Sequence, residues 1–426
     1  MRLSAGSQRR LSTATIVSLL VVSFCFGVVA EARASEVGGE AAASAPASTA
    51  WNALRQSDLR YAFRYRLEDV DEAGGALDAT ASTLRSRIAI RSAAWRRWAL
   101  ALEVDNLARI GGDGYNSTRN GRTDRALVAD PQGTELNIAT LQYTGMNHVV
   151  TLGRQRLNFD DERFVGGVGW RQNEQTFDAA TVRWRLGRVD STYSFVANVN
   201  RVVGPEAGSP PGDLRGTNHL LNLQVDAGAA GGLTAFLYWL DFDNAAALSS
   251  RTAGLRWAKA FPLAGQWRLA ALGSFAVQRD AGANPIDFEA NYWKVEAALK
   301  RGEWAVTLGT ERLDGSEQGP GRSFQTPLGT VHLFQGWADR FTVTPAEGIE
   351  DRYVAVGGAL GAVKIAAAWH EFDSAAADRD FGSEWNASAN WAVHSRVDLL
   401  LKYADYSTES FAADARKIWL QALVTF

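Results

Sequence analysis

The stretch Leu59-Arg60-Tyr61-Ala62-Phe63-Arg64-Tyr65-Arg66-Leu67-Glu68 alternates without a break. Successive side chains of an extended chain point to opposite faces. Leu59, Tyr61, Phe63, Tyr65 and Leu67 therefore share one face, and Arg60, Arg64, Arg66 and Glu68 share the other. The pattern recurs down the chain. Leu84, Ile88 and Ile90 oppose Arg85, Arg87 and Arg91, and Trp98, Leu100, Leu102 and Val104 oppose Glu103 and Asp105. Val182, Trp184 and Leu186 oppose Arg183 and Arg185; Val397, Leu399, Leu401 and Tyr403 oppose Arg396, Asp398 and Lys402. A soluble sandwich alternates too. Three features point elsewhere. The segments run to about ten or twelve residues, against about five or six for soluble strands. Trp98, Trp257, Trp267, Trp304 and Trp391 stand at segment ends, as an interfacial girdle requires. The polar face is charged, which suits a wet lumen rather than a dry core.

About 18 such segments can be counted: 59–69, 82–92, 97–107, 135–144, 147–157, 176–186, 190–201, 217–227, 232–242, 251–260, 266–278, 288–299, 303–312, 351–360, 362–372, 382–392, 395–406 and 416–426. The parity slips after Thr140 in the fourth. Links alternate between short (92 to 97, 144 to 147, 186 to 190) and long (107 to 135, 157 to 176, 312 to 351). Short turns belong to the periplasm and long loops to the exterior, and an even strand count puts both ends in the periplasm. The predicted fold is all-β: a transmembrane antiparallel up-and-down barrel of about 18 strands, wide enough for an aqueous channel.

The chain ends agree. Arg2, Arg9 and Arg10 precede an apolar run from Ala14 to Ala30, and Ala32-Arg33-Ala34 has the small residues of a cleavage site. Residues 1–34 read as a cleaved signal peptide, 35–57 as a disordered periplasmic lead-in rich in Ala, Ser and Gly, and 58–426 as the barrel. The one cysteine, Cys25, falls in the signal, so the expected mature chain holds no disulfide and no thiolate metal site. No later segment is apolar for about 18 residues, so membrane entry requires a barrel. The last strand, Lys417 to Phe426, ends on an aromatic residue. It resembles the closing strand of bacterial outer-membrane proteins, which implies recognition by the barrel assembly machinery. Expected surroundings are outer-membrane lipid and lipopolysaccharide; neither a nucleic-acid partner nor a cofactor is expected.

Net charge is −3, yet of 44 basic residues only Lys259, Lys294, Lys300, Lys364, Lys402 and Lys417 are lysine, leaving 38 arginines. Arginine keeps its charge when partly desolvated and grips carboxylates in a two-pronged fork. Inward arginines give carboxylates a series of equivalent sites, and low-dielectric walls focus the positive field. The candidate anion-binding, pore-lining residues are Arg154 and Arg156 on one face of one strand, Arg183 and Arg185 on the next, and Arg171 between them. Arg60, Arg64, Arg66, Arg85, Arg87 and Arg91 form a basic wall early in the barrel. Glu68, Glu103, Asp105 and Glu135 are available as partners that would make some of these arginines structural. Asp160, Asp161 and Glu162 form an acidic loop tip.

Two loop regions carry more than barrel statistics. One is Leu152-Gly153-Arg154-Gln155-Arg156 running through Arg163-Phe164-Val165-Gly166-Gly167 to Trp170-Arg171-Gln172-Asn173 and Thr176-Phe177-Asp178-Ala179. The other is Phe324-Gln325-Thr326-Pro327-Leu328-Gly329-Thr330-Val331-His332, followed by Phe334-Gln335-Gly336-Trp337-Ala338-Asp339-Arg340-Phe341. Both resemble the alginate-export family of outer-membrane porins, over the barrel from about residue 58 onward. The resemblance implies a monomeric 18-stranded barrel with an arginine-lined constriction that passes an anionic polysaccharide. The alternative within transport is a general diffusion porin for small anions or nutrients. A further reading is a plugged structural barrel, with the 312–351 segment folded inward. An enzyme is not expected. His394-Ser395 is the nearest nucleophile–base pair, and neighbours in a strand point to opposite faces.

Overall fold

In the computed structural model, residues 47–74, 76–204 and 210–426 are described. The expected signal peptide lies outside them. The lead-in enters them at Ala47, and its end departs from the expected disorder: Ala50–Arg55 is a short helix, α1, whose N-cap Thr49 accepts a hydrogen bond from Asn52 N. Ala53 is buried against Ala47 and Ala93, so this segment caps the first periplasmic turn.

Eighteen antiparallel strands follow. They are β1 (Asp58–Glu72), β2 (Ala79–Arg91), β3 (Trp98–Arg109), β4 (Gly133–Thr144), β5 (His148–Gln155) and β6 (Thr176–Leu186). Next come β7 (Val189–Asn200), β8 (Asp213–Asp226), β9 (Gly232–Leu240), β10 (Ser250–Pro262), β11 (Trp267–Asp280) and β12 (Glu289–Arg301). The last are β13 (Trp304–Asp314), β14 (Gly348–Leu360), β15 (Val363–Asp373), β16 (Asp380–His394), β17 (Val397–Thr408) and β18 (Ala415–Thr425). Each pairs with its sequence neighbours, and β1 pairs with β18 from Ala62↔Thr425 to Glu72↔Ala415, closing the barrel. Closure leaves no bare edge. The terminal Phe426 extends the seam, exchanging backbone hydrogen bonds with Tyr61 at 2.9 and 3.2 Å.

Burial is inverted relative to a soluble protein. Leu59, Tyr61, Phe63 and Tyr65 are exposed on the outside, while Arg64, Arg66 and Glu68 are buried inside. The lipid face needs no partner within the protein; the charged face does. Trp98, Trp267 and Trp304 open β3, β11 and β13 at the periplasmic rim, and all three are exposed to the membrane interface. The parity slip in β4 is a bulge. Glu103 faces Ile138 and Val104 faces Leu136, so the extra residue is Asn137, earlier than Thr140.

The lumen differs from expectation. One side is charged, but the other is a dry core. Phe236, Tyr238, Tyr292, Phe372, Tyr406 and Trp419 of the wall pack against Leu157, Trp170, Phe324, Leu328, Trp337 and Phe341. The latter come from two long loops, 156–175 and 315–347, which fold into the barrel. The loops also join each other: Gly166 N donates to Leu328 O at 2.8 Å and Thr330 N to Glu162 O at 2.9 Å. Burying each large aromatic side chain stabilises by about 1.5–3 kcal/mol, which offsets part of the ordering entropy of such long loops.

Candidate functional site

The basic wall forms where β1 and β2 place arginines on the same inward face. Register sets Arg64 opposite Arg85 and Ala62 opposite Arg87. The next strand supplies the countercharge: Arg87 faces Asp105 and grips it at 2.7 and 2.5 Å, with Glu103 at 3.1 Å. Loop 156–175 completes the cluster from above. Its Glu174 lies 2.5 Å from Arg156, 2.8 Å from Arg87 and 3.4 Å from Arg85. Arg156 also pairs with Glu103. Arg171 bridges Glu68 at 2.6 Å and Asp130 at 3.2 Å.

Arg64 donates to Gln172 Oε1 at 2.8 Å, to Gly169 O at 2.9 Å and to the carbonyl of Arg171. Arg66 bonds Gln421 at 2.7 Å and lies 4.1 Å over the Trp170 ring. Six guanidiniums (Arg64, Arg66, Arg85, Arg87, Arg156, Arg171) thus meet five carboxylates (Glu68, Glu103, Asp105, Asp130, Glu174), a net charge of +1. Buried charge at this density requires such pairing. Burial alone would raise the Glu174 carboxyl. Arg156, Arg87 and Arg85 outweigh it and hold Glu174 well below the usual carboxylate range.

Below this cluster, at the periplasmic end, a hollow of about 310 Å³ opens between Asp58, Arg60, Arg91, Gln142, Arg156 and Arg183. Arg60 is held by Asp58 at 2.6 Å and Arg91 by Gln142 at 2.8 Å. Arg183 is exposed and makes no ion pair among the described residues.

The two loops are pinned to the barrel wall at β17 by a lysine. Lys402 of β17 puts Nζ 3.9 Å from the ring centroids of both Trp170 and Trp337 and 2.7 Å from His332 Nε2. His332 Nδ1 meets Asp339 at 2.6 Å, and its ring stacks on Trp170 at 4.6 Å. Burial pushes the His332 imidazole down to about 3, with Lys402 adding to the effect and Asp339 opposing it. The neutral ring therefore accepts from Lys402 and donates to Asp339. Asp339 is pushed up by burial, but His332 and Lys417 outweigh this and leave it strongly acidic. Arg163 adds a second pin, bonding Glu311 at 2.9 Å and Thr326 at 3.1 Å. The acidic tip also turns inward. Asp160 accepts from Asn222 at 2.7 Å, Asp161 lies 3.6 Å from Arg256, and Glu162 meets Thr330 at 2.5 Å.

Sequence expectations and geometry part company at several residues. Arg60, Arg156 and Arg183 line the periplasmic hollow, and Arg64, Arg85 and Arg87 form the buried wall above it. Arg171 is a cross-link rather than an open site. Arg154 and Arg156 do not share a face. Arg154 sits on the side of the exposed Leu152, opposite the hollow-lining Val149, Thr151 and Gln155, and is clamped by Asp178 at 2.7 Å. Arg156 lies past the end of β5, where the chain turns inward. Arg185 is 70% exposed at the rim and bound by Asp190 at 2.5 Å. His394 and Ser395 are not held on opposite faces as expected, because Ser395 stands in the turn after β16 and its Oγ is 3.4 Å from His394 Nδ1. Both are exposed, and no described carboxylate orients the ring. The sequence pattern placed Lys402 on the polar face without its role, and Glu174 and Asp130 were missed. Glu174 directly follows the Trp170–Asn173 motif, and that adjacency was the available signal.

A closed 18-stranded antiparallel barrel with apolar exterior, charged interior and inward loops is an outer-membrane porin. Its residues 55–348, more than half of the 426, match the alginate export family, and the chain belongs to that family. Solved porins share the fold. Pseudomonas aeruginosa OccK9 (OpdG) is 14% identical with a TM-score of 0.66, covering 88% of this chain and 100% of its own. Acinetobacter baumannii OccAB2 is 13% identical with a TM-score of 0.69, covering 88% and 98%. P. aeruginosa OpdK with vanillate is 13% identical with a TM-score of 0.67, covering 88% and 99%. Among curated proteins, none matches.

Proposed function

We propose that this porin passes anionic solutes, an alginate-like polyuronate foremost, from a periplasmic vestibule along the arginine wall. The observation that carries this reading is the continuity of basic residues: Arg183, Arg60 and Arg91 around the 310 Å³ hollow, then Arg87, Arg85 and Arg64 above it. Carboxylates entering the mouth meet guanidinium forks at successive heights. A site already shared with internal carboxylates exchanges one anion for another rather than trapping it. Family membership supports the cargo class. The vanillate in the OpdK structure is a carboxylate, which agrees with anion handling on this fold.

The test is planar-bilayer recording of refolded protein. Wild type is expected to show an anion-selective reversal potential in a KCl gradient and blockade by oligomannuronate but not by a neutral oligosaccharide. Replacing Arg60, Arg91 and Arg183 together with alanine should weaken both. A cation-selective wild-type pore would overturn the proposal, and so would blockade untouched by the triple substitution. An anion-selective pore without polyuronate blockade would remove the polysaccharide and leave small anions.

A further inference from the structure

On the outside of the barrel, at the extracellular end of β9–β11, a groove of about 620 Å³ interrupts the lipid-facing surface. Ala253 forms its floor, because its short side chain stands between Leu237 and Val277 on the neighbouring strands. One ladder step nearer the exterior, Arg251 lies directly opposite Arg279, with Trp239 on the other side of Arg251. Arg251 is the second residue of β10 and Arg279 the last but one of β11, so both stand where the outer leaflet meets water. Like charges facing each other across a ladder repel. Arg279 is relieved by Glu289 at 2.6 Å; Arg251 makes no ion pair among the described residues. The apolar floor continues toward the membrane interior through Leu255 and Phe275, both more than half exposed.

We propose that this groove binds a phosphorylated, multiply acylated glycolipid of the outer leaflet, the lipid A part of lipopolysaccharide. A phosphate bridges Arg251 and Arg279, and one acyl chain lies over Ala253 along Leu237 and Val277. The phosphate supplies the anion that Arg251 lacks and adds to the one Arg279 shares with Glu289, in the geometry arginine forks prefer. The order of the features matches the order in the lipid, with cations at headgroup height and a hydrocarbon slot beneath them. Trp239 at the same height has the amphipathic ring typical of that interface.

The experiment is native mass spectrometry of the detergent-solubilised barrel with added lipid A, alongside the Arg251→Gln/Arg279→Gln variant. Correct folding is verified by heat-modifiable migration on gels. Arg352→Gln, an outward-facing arginine already paired with Asp373, is the remote control. Wild type should retain lipid A, and the double variant should lose roughly thirtyfold in affinity, as expected for two guanidinium–headgroup contacts. The control should bind as wild type. Dephosphorylated lipid A should bind wild type as weakly as intact lipid A binds the variant. Equal binding by wild type and double variant would overturn the proposal, as would indifference to the phosphates or an equal loss in the Arg352 control. A porin that fails to transport anions yet retains lipid A at Arg251 and Arg279 would leave this site standing.

Discussion

Glu174→Gln is the most informative single change, because one loop carboxylate touches three arginines of the cluster, Arg85 and Arg87 of the wall and Arg156 of its own loop. The substitution leaves six guanidiniums against four carboxylates and raises the local charge from +1 to +2. Removing one partner from a buried ion pair costs about 3–5 kcal/mol in a dry interior; lumen water makes that an upper bound. The same unit of charge changes the energy of an ion about 4 Å away by about 1 kcal/mol in water-like surroundings and about 4 kcal/mol at an effective dielectric of 20. Even the lower figure is about fivefold in a partition constant. The anion-to-cation permeability ratio should therefore rise by at least about fivefold. The readout is the reversal potential of refolded protein across a KCl gradient. Because the arginines keep Glu174 ionised well below the usual range, the wild-type ratio should hold steady down to about pH 4.5 in this part of the wall. A correctly folded variant with unchanged reversal potential and conductance would refute the reasoning, since permeating ions would then not sense the wall that Glu174 neutralises.

Two further outcomes follow from the same geometry. Between pH 6.5 and about 3, an undocked His332 takes up a proton that the docked ring refuses, so docking of loop 315–347 weakens as pH falls. Asp339, depressed when docked, acts in the same direction once pH drops below the ordinary carboxylate range. Limited proteolysis should cut that loop faster at pH 4.5 than at pH 7.5, whereas His332→Gln should flatten the difference; equal rates in wild type would contradict it. Arg154→Ala should leave ion selectivity unchanged, because the residue faces away from the hollow, while Arg183→Ala should shift it measurably in the same bilayer assay.

The strands were legible because a period of two is a local property. Whether Tyr65 and Arg66 occupy opposite faces depends only on their being neighbours in an extended chain. What stands across the lumen is not local. Alternation marks Arg64 and Tyr406 equally as inward, yet one meets Gln172 and the other packs beside Phe341. Those partners come from loops with no period to read. Arg154 shows the same limit in miniature. Its parity matches that of Arg156, but the strand stops at Gln155, and past that point parity no longer predicts direction. The extra residue Asn137 was detectable as a slip, but its purpose was not. Its amide donates to Glu103 at 2.6 Å and reaches Glu174 at 3.3 Å, so the bulge delivers a neutral donor into the charged cluster.

The near balance of that cluster bears on how a polyanion could move through it. A wall of bare, desolvated guanidiniums would bind carboxylates tightly, and a chain held at several sites at once would leave slowly. Internal carboxylates lower the gain at each site. A cargo carboxylate that displaces Glu174 from Arg87 trades one charge-assisted contact for another, so the net energy of each step is small compared with either contact alone. Glu174 belongs to a loop, whereas Glu103 and Asp105 belong to the wall. The partner that can yield is therefore the one not fixed by the sheet. On the proposed reading, the arginines supply attraction, the strand acids set its ceiling, and the loop acid makes it exchangeable.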